Sequence, residues 1–385
     1  MKNFVINPFF YYSLSFILVF FLYTLGWSDL YLPLSGDLSL FIGFTIVFSI
    51  FMVFLFNKII KNSSRVKIKP VEKKKVIYLF IFLCFSLLAE FIYHGLVPLL
   101  LVIRGVYYDY TQFGIPVFHV FLVSYTTLLG VVYFYRYLVY KEKYYLLIFF
   151  FSLFFSISIV NRGTLMFILL AVIISYASLN LNILKIFKIL ITIFLVIFAF
   201  GILGNLRMIS SGYKDQDAIL KIGQASENFT KTNLPTEFFW AYLYISSPYA
   251  NLENEVKKRA INDQNNISGF LNYEILPDFI SKRLNFINNK SNLLVDELNV
   301  STMYAGSINK MGFIGAFLLY FWYVFAILIT PFLINREYFI PTVILLSTLS
   351  SFLMFDNVLK FSGFVFQFFI LILFSRFKFK QISIL

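Results

Sequence analysis

The chain has 385 residues, of which 60% are hydrophobic and 21% aromatic, while only 13% are charged. Soluble globular domains carry about 25% charged residues, so this composition excludes a soluble domain and indicates a polytopic membrane protein. The net charge of +13 does not indicate nucleic-acid binding, because the cations are scattered at the ends of apolar segments instead of forming a basic face interleaved with aromatic residues.

Ten apolar segments of about 15 to 23 residues follow one another along the chain. At about 1.5 Å of rise per residue, most are long enough as helices to cross ~30 Å of hydrocarbon. Helices are the expected spanning form, because each satisfies its own backbone hydrogen bonds in lipid. The sequence therefore predicts an all-α polytopic integral membrane protein with about ten transmembrane helices, at 9–25, 38–56, 76–93, 118–138, 144–160, 164–179, 189–204, 311–333, 338–355 and 361–375.

Lysine and arginine predict the orientation, because short loops rich in these residues stay in the cytoplasm. Residues 58–75 carry eight cations and one acid, and the other basic connections fall on the same side when alternate loops are skipped. Both termini are therefore predicted to be cytoplasmic. The expected organisation is transmembrane helices 1–7 in residues 1–205, one large external loop with short helices in residues 206–301, and transmembrane helices 8–10 in residues 302–385.

The external loop, residues 206–301, is called the insert below. The stretch 207–310 contains eleven Lys or Arg and eleven Asp or Glu, so the net charge of the chain does not come from it. Within the insert, the apolar run 238–245 is followed by Ser246, Ser247 and Pro248, which predict that a helix stops or kinks there. A hairpin partly embedded in the membrane and a helix packed on the insert's own core both fit this pattern.

Ionisable residues collect in the second external region and the helix ends beside it. Glu90 precedes the outer end of its helix by about one turn, where an acid needs a partner or a function. Arg104 and Asp109 follow in the loop, and His119 opens the next helix. A structural pairing of Glu90 with Arg104 or a hydroxyl group is an alternative to a functional role.

Two arginines are expected to face the outer compartment. Arg162 occupies a minimal turn between two apolar segments, and Arg207 follows the seventh segment where the insert begins. The guanidinium fork matches two phosphate oxygens at once, which a lysine does not. The sequence allows two roles for these arginines, which are binding of a phosphate group and anchoring to lipid headgroups.

The sequence contains no motif that indicates metal or nucleotide binding. Cys84 is the single cysteine, and His94 and His119 are the two histidines, without a metal-binding spacing. No phosphate-binding loop or dinucleotide fingerprint occurs. The sequence therefore predicts no metal and no cofactor. Farther along, Gly306, Gly312 and Gly315 are expected to allow close backbone approach at the eighth helix.

Six segments between about residues 90 and 317, taken in order, resemble the Wzy oligosaccharide repeat-unit polymerases of O-antigen and capsule assembly. These segments read AEFIYHGLVPLL, YDYTQFGIPVFH, NRGTLMFILL, GNLRMISSGY, YISSPYANL and STMYAGSINKMGFIGAF. The resemblance implies a GT-C-like fold and a metal-independent glycosyltransferase of the bacterial inner membrane with a periplasmic loop. It also implies an undecaprenyl-diphosphate-linked oligosaccharide as substrate, with membrane lipid and a chain-length regulator protein as further partners.

By their positions in the matching segments, the resemblance implies that Arg162 and Arg207 bind the diphosphate of the donor. The acceptor hydroxyl needs a base, for which the outer candidates are Glu90, His119, Asp109, Glu237 and Asp278. We favour His119 and Glu90, because both lie at outer helix ends within the matching segments. Additional substrate contacts are expected from Arg104, Asp109 and Tyr249.

Three other functions stay open. An O-antigen ligase has a similar architecture with a large periplasmic loop and would use the same arginines. A flippase for lipid-linked oligosaccharide, or another transporter, would need a polar path and helices broken near the midplane, whereas the helix centres here are almost free of charged residues. A non-catalytic assembly subunit would need neither arginine.

Overall fold

The structure is a computed structural model that describes residues 4–63, 66, 68–104, 112–179, 184, 186–189, 191–192, 194–195, 198, 201, 218–261, 265–284 and 292–376. Regular structure within these residues is helical, apart from an isolated β-bridge between Ser28 and Ala225. The seventh predicted segment, 189–204, lies largely outside the described residues, as do Asp109 and Arg207. The all-α prediction is confirmed for the part of the chain that is described.

Four helices are long and apolar enough to cross a membrane. They are α2 (Gly36–Ser63), α3 (Lys73–His94), α5 (Phe118–Tyr140) and α13 (Ala305–Leu333). The shortest of them, α3, has 22 residues, which at about 1.5 Å per residue cover about 33 Å. This length and composition support a membrane protein that crosses the bilayer several times.

The other predicted segments form shorter helices. These are α1 (Pro8–Thr24), α6 (Tyr145–Ser158), α7 (Arg162–Ala177), α14 (Phe339–Phe352) and α15 (Ser362–Arg376). Both α6 and α14 have 14 residues, which cover only about 21 Å against ~30 Å of hydrocarbon. Helix length alone therefore does not show ten spans, although a helix stands at every predicted segment outside 189–204.

The insert is built from short helices around one long helix. Before it come α8 (Ala218–Ile222) and α9 (Glu227–Thr230), and the long helix is α10 (Thr236–Ile261). After it come α11 (Ile267–Phe270), a π-helix (Leu271–Ile275) and α12 (Asp278–Ser281). Between α3 and α5, the apolar patch of the second external region forms α4 (Pro98–Ile103).

The prediction that a helix stops at Ser246, Ser247 and Pro248 is wrong, because α10 continues through all three residues. An internal proline costs a helix about 3 kcal/mol. Tertiary packing offsets this cost: α10 packs against α1 and α13, and Tyr249, Ala250 and Leu252 are fully buried immediately after the proline. The insert is therefore joined to the helical bundle along the length of α10.

The two ends of the helical bundle are distinguished by the hydrogen bonds made at the two ends of α5. At one end, Asp278 of the insert accepts a hydrogen bond from the Ser362 backbone N–H at 2.9 Å, and Ser124 near the start of α5 donates to the Ser362 carbonyl at 3.4 Å. We call this end the insert pole. At the other end, Arg136 near the end of α5 donates to the Lys69 carbonyl at 3.2 Å. Both residues belong to the connections predicted to be cytoplasmic, and this orientation stays a prediction.

Candidate functional site

Glu90 and His119 are in direct contact at the insert pole. The imidazole Nδ1 of His119 lies 3.0 Å from both carboxylate oxygens of Glu90. The Glu90 side chain is 0% exposed, whereas that of His119 is 19% exposed. The last turn of α3 positions the carboxylate and the first turn of α5 positions the imidazole. The structure thus brings together the two residues that the sequence favoured as catalytic.

The loop before α5 fixes the orientation of the His119 ring. Gly114 has φ +101°, and a Cβ atom built there would lie 2.2 Å from the imidazole Cγ of His119, so only glycine leaves room for the ring. Phe113 meets His119 edge-on, with ring centroids 5.5 Å apart, and is itself buried. Both contacts restrict the imidazole to the position in which Nδ1 faces Glu90.

His94, the second histidine, supports the same loop. Its Nε2 lies 3.3 Å from the Gly114 carbonyl oxygen, and because a carbonyl only accepts, Nε2 is the donor of this hydrogen bond. Its ring also packs on Phe113, with centroids 5.1 Å apart. His94 therefore has a structural contact with the loop that holds His119.

The pair has the arrangement of an oriented base. A carboxylate accepts from Nδ1–H, which fixes the imidazole tautomer and leaves the Nε2 lone pair for a proton. No other hydrogen bond of the His119 ring occurs among the described residues. The buried Glu90 carboxylate would also stabilise the imidazolium that forms when Nε2 takes up a proton.

The structure describes two of the other charged residues predicted for the site, Arg162 and Arg104, at the ends of two different helices. Arg162 is the first residue of α7 and is exposed, after Asn161, whose side chain caps the helix by accepting from the Thr164 N–H at 3.1 Å. Arg104 ends α4 and is exposed. Arg207 and Asp109 lie outside the described residues. The diphosphate role of the two arginines stays a prediction.

Tyr249 occupies a different environment from the one expected for a substrate contact. It is 0% exposed and packs on Phe20 and Tyr23 of α1, with ring centroids 5.9 and 5.0 Å apart. Its position in the second half of α10 accounts for this burial. The structure therefore gives Tyr249 a packing role between the insert and the bundle.

A buried charge cluster that sequence reasoning did not identify lies beside α13. The Glu274 carboxylate, 2% exposed, pairs with Lys310 Nζ at 2.9 Å and with Lys360 Nζ at 3.5 Å. The Lys310 side chain is 5% exposed. Asn357 donates to the Glu274 carbonyl at 2.8 Å. A lysine in the second turn of an otherwise apolar helix is the sequence signal that would have pointed to Lys310.

The predicted close approach at Gly306 involves this cluster. A Cβ atom built on Gly306 would lie 2.2 Å from the Glu274 Oε1 atom, so the carboxylate occupies the space that a side chain would fill. The Gly306 carbonyl also accepts from Lys310 Nζ at 3.3 Å. The glycine therefore admits a carboxylate from the insert rather than a neighbouring helix.

Charge and hydrogen bonding shift two pKa values in and beside the cluster. Burial lowers the pKa of Lys360, but the carboxylates of Glu274 and Asp356 outweigh it and raise this pKa above its ordinary value. Burial raises the pKa of Asp278, but hydrogen bonds from Ser362 and the Lys282 ammonium outweigh it, so this pKa is lowered. Both groups therefore stay charged near neutral pH.

Groups suited to metal binding are scattered in the described part of the chain. No set of three or more His, Cys, Asp or Glu residues stands together there. Cys84 lies within α3 and packs against the hydrophobic core. The chemistry available at the insert pole is thus that of carboxylate, imidazole and cationic side chains.

The chain matches no protein-family model, no curated protein and no solved structure.

Proposed function

We propose that this protein is a bacterial inner-membrane glycosyltransferase that polymerises undecaprenyl-diphosphate-linked oligosaccharide repeat units into O-antigen or a related surface polysaccharide. The observation that carries the proposal is the contact between Glu90 and His119, a buried carboxylate that orients an accessible imidazole. The proposed topology has about ten spans and cytoplasmic termini, and it places this pair on the periplasmic side.

The reaction needs a base for the acceptor. The acceptor hydroxyl oxygen attacks the anomeric carbon of the donor glycan, and the bond between that carbon and the diphosphate oxygen breaks. His119 Nε2 takes the hydroxyl proton, while Glu90 holds Nδ1–H and stabilises the resulting imidazolium. The bonding electrons leave with the undecaprenyl diphosphate, and the proton later passes to water.

The leaving diphosphate needs positive charge. In the proposal Arg162 and Arg207 supply it, because the guanidinium group binds two phosphate oxygens at once. Arg162 supports this role by its exposed position at the first residue of α7. Arg104 and Asp109 belong to the loop between α3 and α5 and would contact the glycan.

The test is reconstitution of the full chain in vesicles with lipid-linked repeat units, followed by separation of the products by length. Wild-type protein should give a ladder. His119→Ala should slow the condensation by about 10² to 10⁴-fold, the usual contribution of a general base, and Glu90→Gln should slow it by a smaller factor. Glu227→Gln is the matched control, because Glu227 is an exposed carboxylate that pairs with Lys231.

Three results would contradict the proposal. A wild-type protein that yields no ladder refutes polymerisation, and transfer of a finished chain to a second lipid acceptor would instead assign the protein as a ligase. An unchanged rate in the stably inserted His119→Ala protein refutes the assignment of the base.

A further inference from the structure

A polar cavity of about 720 Å³ opens beside the second half of α10 and shares no lining residue with the Glu90–His119 pair. Small-molecule sites have volumes of about 300–1,000 Å³, so this cavity is large enough for a ligand. Four asparagines line it together with Glu255 and Arg259: Asn265, Asn266, Asn292 and Asn309.

Hydrogen bonds fix the walls of this cavity. Glu255 is 1% exposed and accepts from the Asn292 backbone N–H at 2.7 Å and from the Asn309 amide at 2.6 Å. Arg259 donates to the Asn309 carbonyl at 3.0 Å and to the Asn265 side-chain oxygen at 2.9 Å. The lining side chains are therefore held in place before a ligand arrives.

The chemistry of the lining favours a polyhydroxylated ligand. Each asparagine amide has two donor hydrogens and an acceptor oxygen, which complement sugar hydroxyl groups that also donate and accept. Arg259 and Lys258 would attract a free diphosphate, but the Glu255 carboxylate on the same wall would repel it. The lining combines amides, one acid and three cations, of which Lys310 is already paired with Glu274, and it therefore suits a glycan better than a multiply charged anion.

We propose that this cavity binds the glycan part of the lipid-linked repeat unit; the identity of the ligand rests on the proposed function. Lys310 lines the cavity and also pairs with Glu274 at 2.9 Å. From Glu274, the insert continues to Asp278, which accepts from the Ser362 N–H at the start of α15. Since α15 packs along α5, which carries His119, the cavity and the base belong to one connected pole.

The experiment titrates the purified full chain in detergent with the oligosaccharide released by mild acid from lipid-linked repeat units. We expect saturable binding to the wild-type protein. Arg259→Ala should weaken it at least about tenfold, because it removes charged hydrogen bonds, and Asn265→Ala should weaken it by a smaller factor. Lys257→Ala is the matched control, because this neighbouring lysine donates to the Pro33 carbonyl and does not line the cavity.

Asn265 is exposed, so Asn265→Ala keeps the test valid even if Arg259→Ala fails to fold. The proposal would be overturned if Asn265→Ala and a correctly folded Arg259→Ala both bound the oligosaccharide with wild-type affinity. Binding of inorganic pyrophosphate without binding of the oligosaccharide would also overturn it, by assigning the cavity to an anion. His119→Ala separates the two proposals: it should bind the oligosaccharide normally, and an unchanged condensation rate in it refutes the proposed base, not the cavity.

Discussion

Replacing Gly306 with alanine tests the buried charge cluster most directly. The new Cβ atom would lie 2.2 Å from Glu274 Oε1, whereas non-bonded contacts need about 3.5 Å, so the carboxylate must move by more than about 1 Å. That movement separates it from Lys310 Nζ, now 2.9 Å away. Both side chains are almost fully buried, so water cannot replace the lost partner.

The expected cost follows from the partners that remain. Breaking a buried ion pair costs about 3–5 kcal/mol. Glu274 keeps Lys360 at 3.5 Å and the Asn357 amide at 3.2 Å, so the lower end of this range, about 3 kcal/mol, applies. At about 2 °C per kcal/mol, the midpoint of thermal unfolding should fall by about 6 °C.

The assay is thermal unfolding of the purified protein in detergent, with Gly43→Ala as the control. Gly43 lies within α2, and a Cβ atom there would meet nothing within 4 Å. Alanine is favoured over glycine in a helix by about 0.5–1 kcal/mol, so the control midpoint should stay the same or rise slightly. Equal midpoints for Gly306→Ala and Gly43→Ala would refute the assigned contact.

Three further predictions concern contacts of the insert. Asp278 has a pKa below its ordinary value of 3.8. The stability that its carboxylate contributes is therefore complete above pH 3.8 and is lost as the pH falls toward the lowered pKa. Because Ser362→Ala removes one cause of the lowered pKa, the unfolding midpoint of this variant should fall less steeply than that of the wild type below about pH 4. Glu253 is fully buried and accepts from the Ser35 N–H at 3.0 Å, so Glu253→Gln should cost about 1–3 kcal/mol by weakening this hydrogen bond. Glu227→Gln should leave the unfolding midpoint unchanged, because its partner is an exposed lysine.

Much of the helix order could be predicted from the sequence. Every described predicted segment contains a helix, because long apolar runs fold in this way wherever their backbone must be hydrogen-bonded out of water. The number of spans was harder to predict, because the length of an apolar run does not specify where Gly95 ends α3 or where Asn161 begins α7. Pro248 was misleading, because its local preference was outweighed by packing of α10 against distant helices.

By itself, the sequence determined the class of this protein, its helical segments and the helix ends at which Glu90 and His119 lie. Only the tertiary structure decided that their side chains meet, because 29 positions separate them and the contact depends on how α3 and α5 pack. The same holds for Glu274 and Lys310, 36 positions apart. A local sequence pattern indicates which residues favour a helix or the membrane interface. A buried ion pair forms only when segments that are distant in sequence pack together and exclude water from both charges.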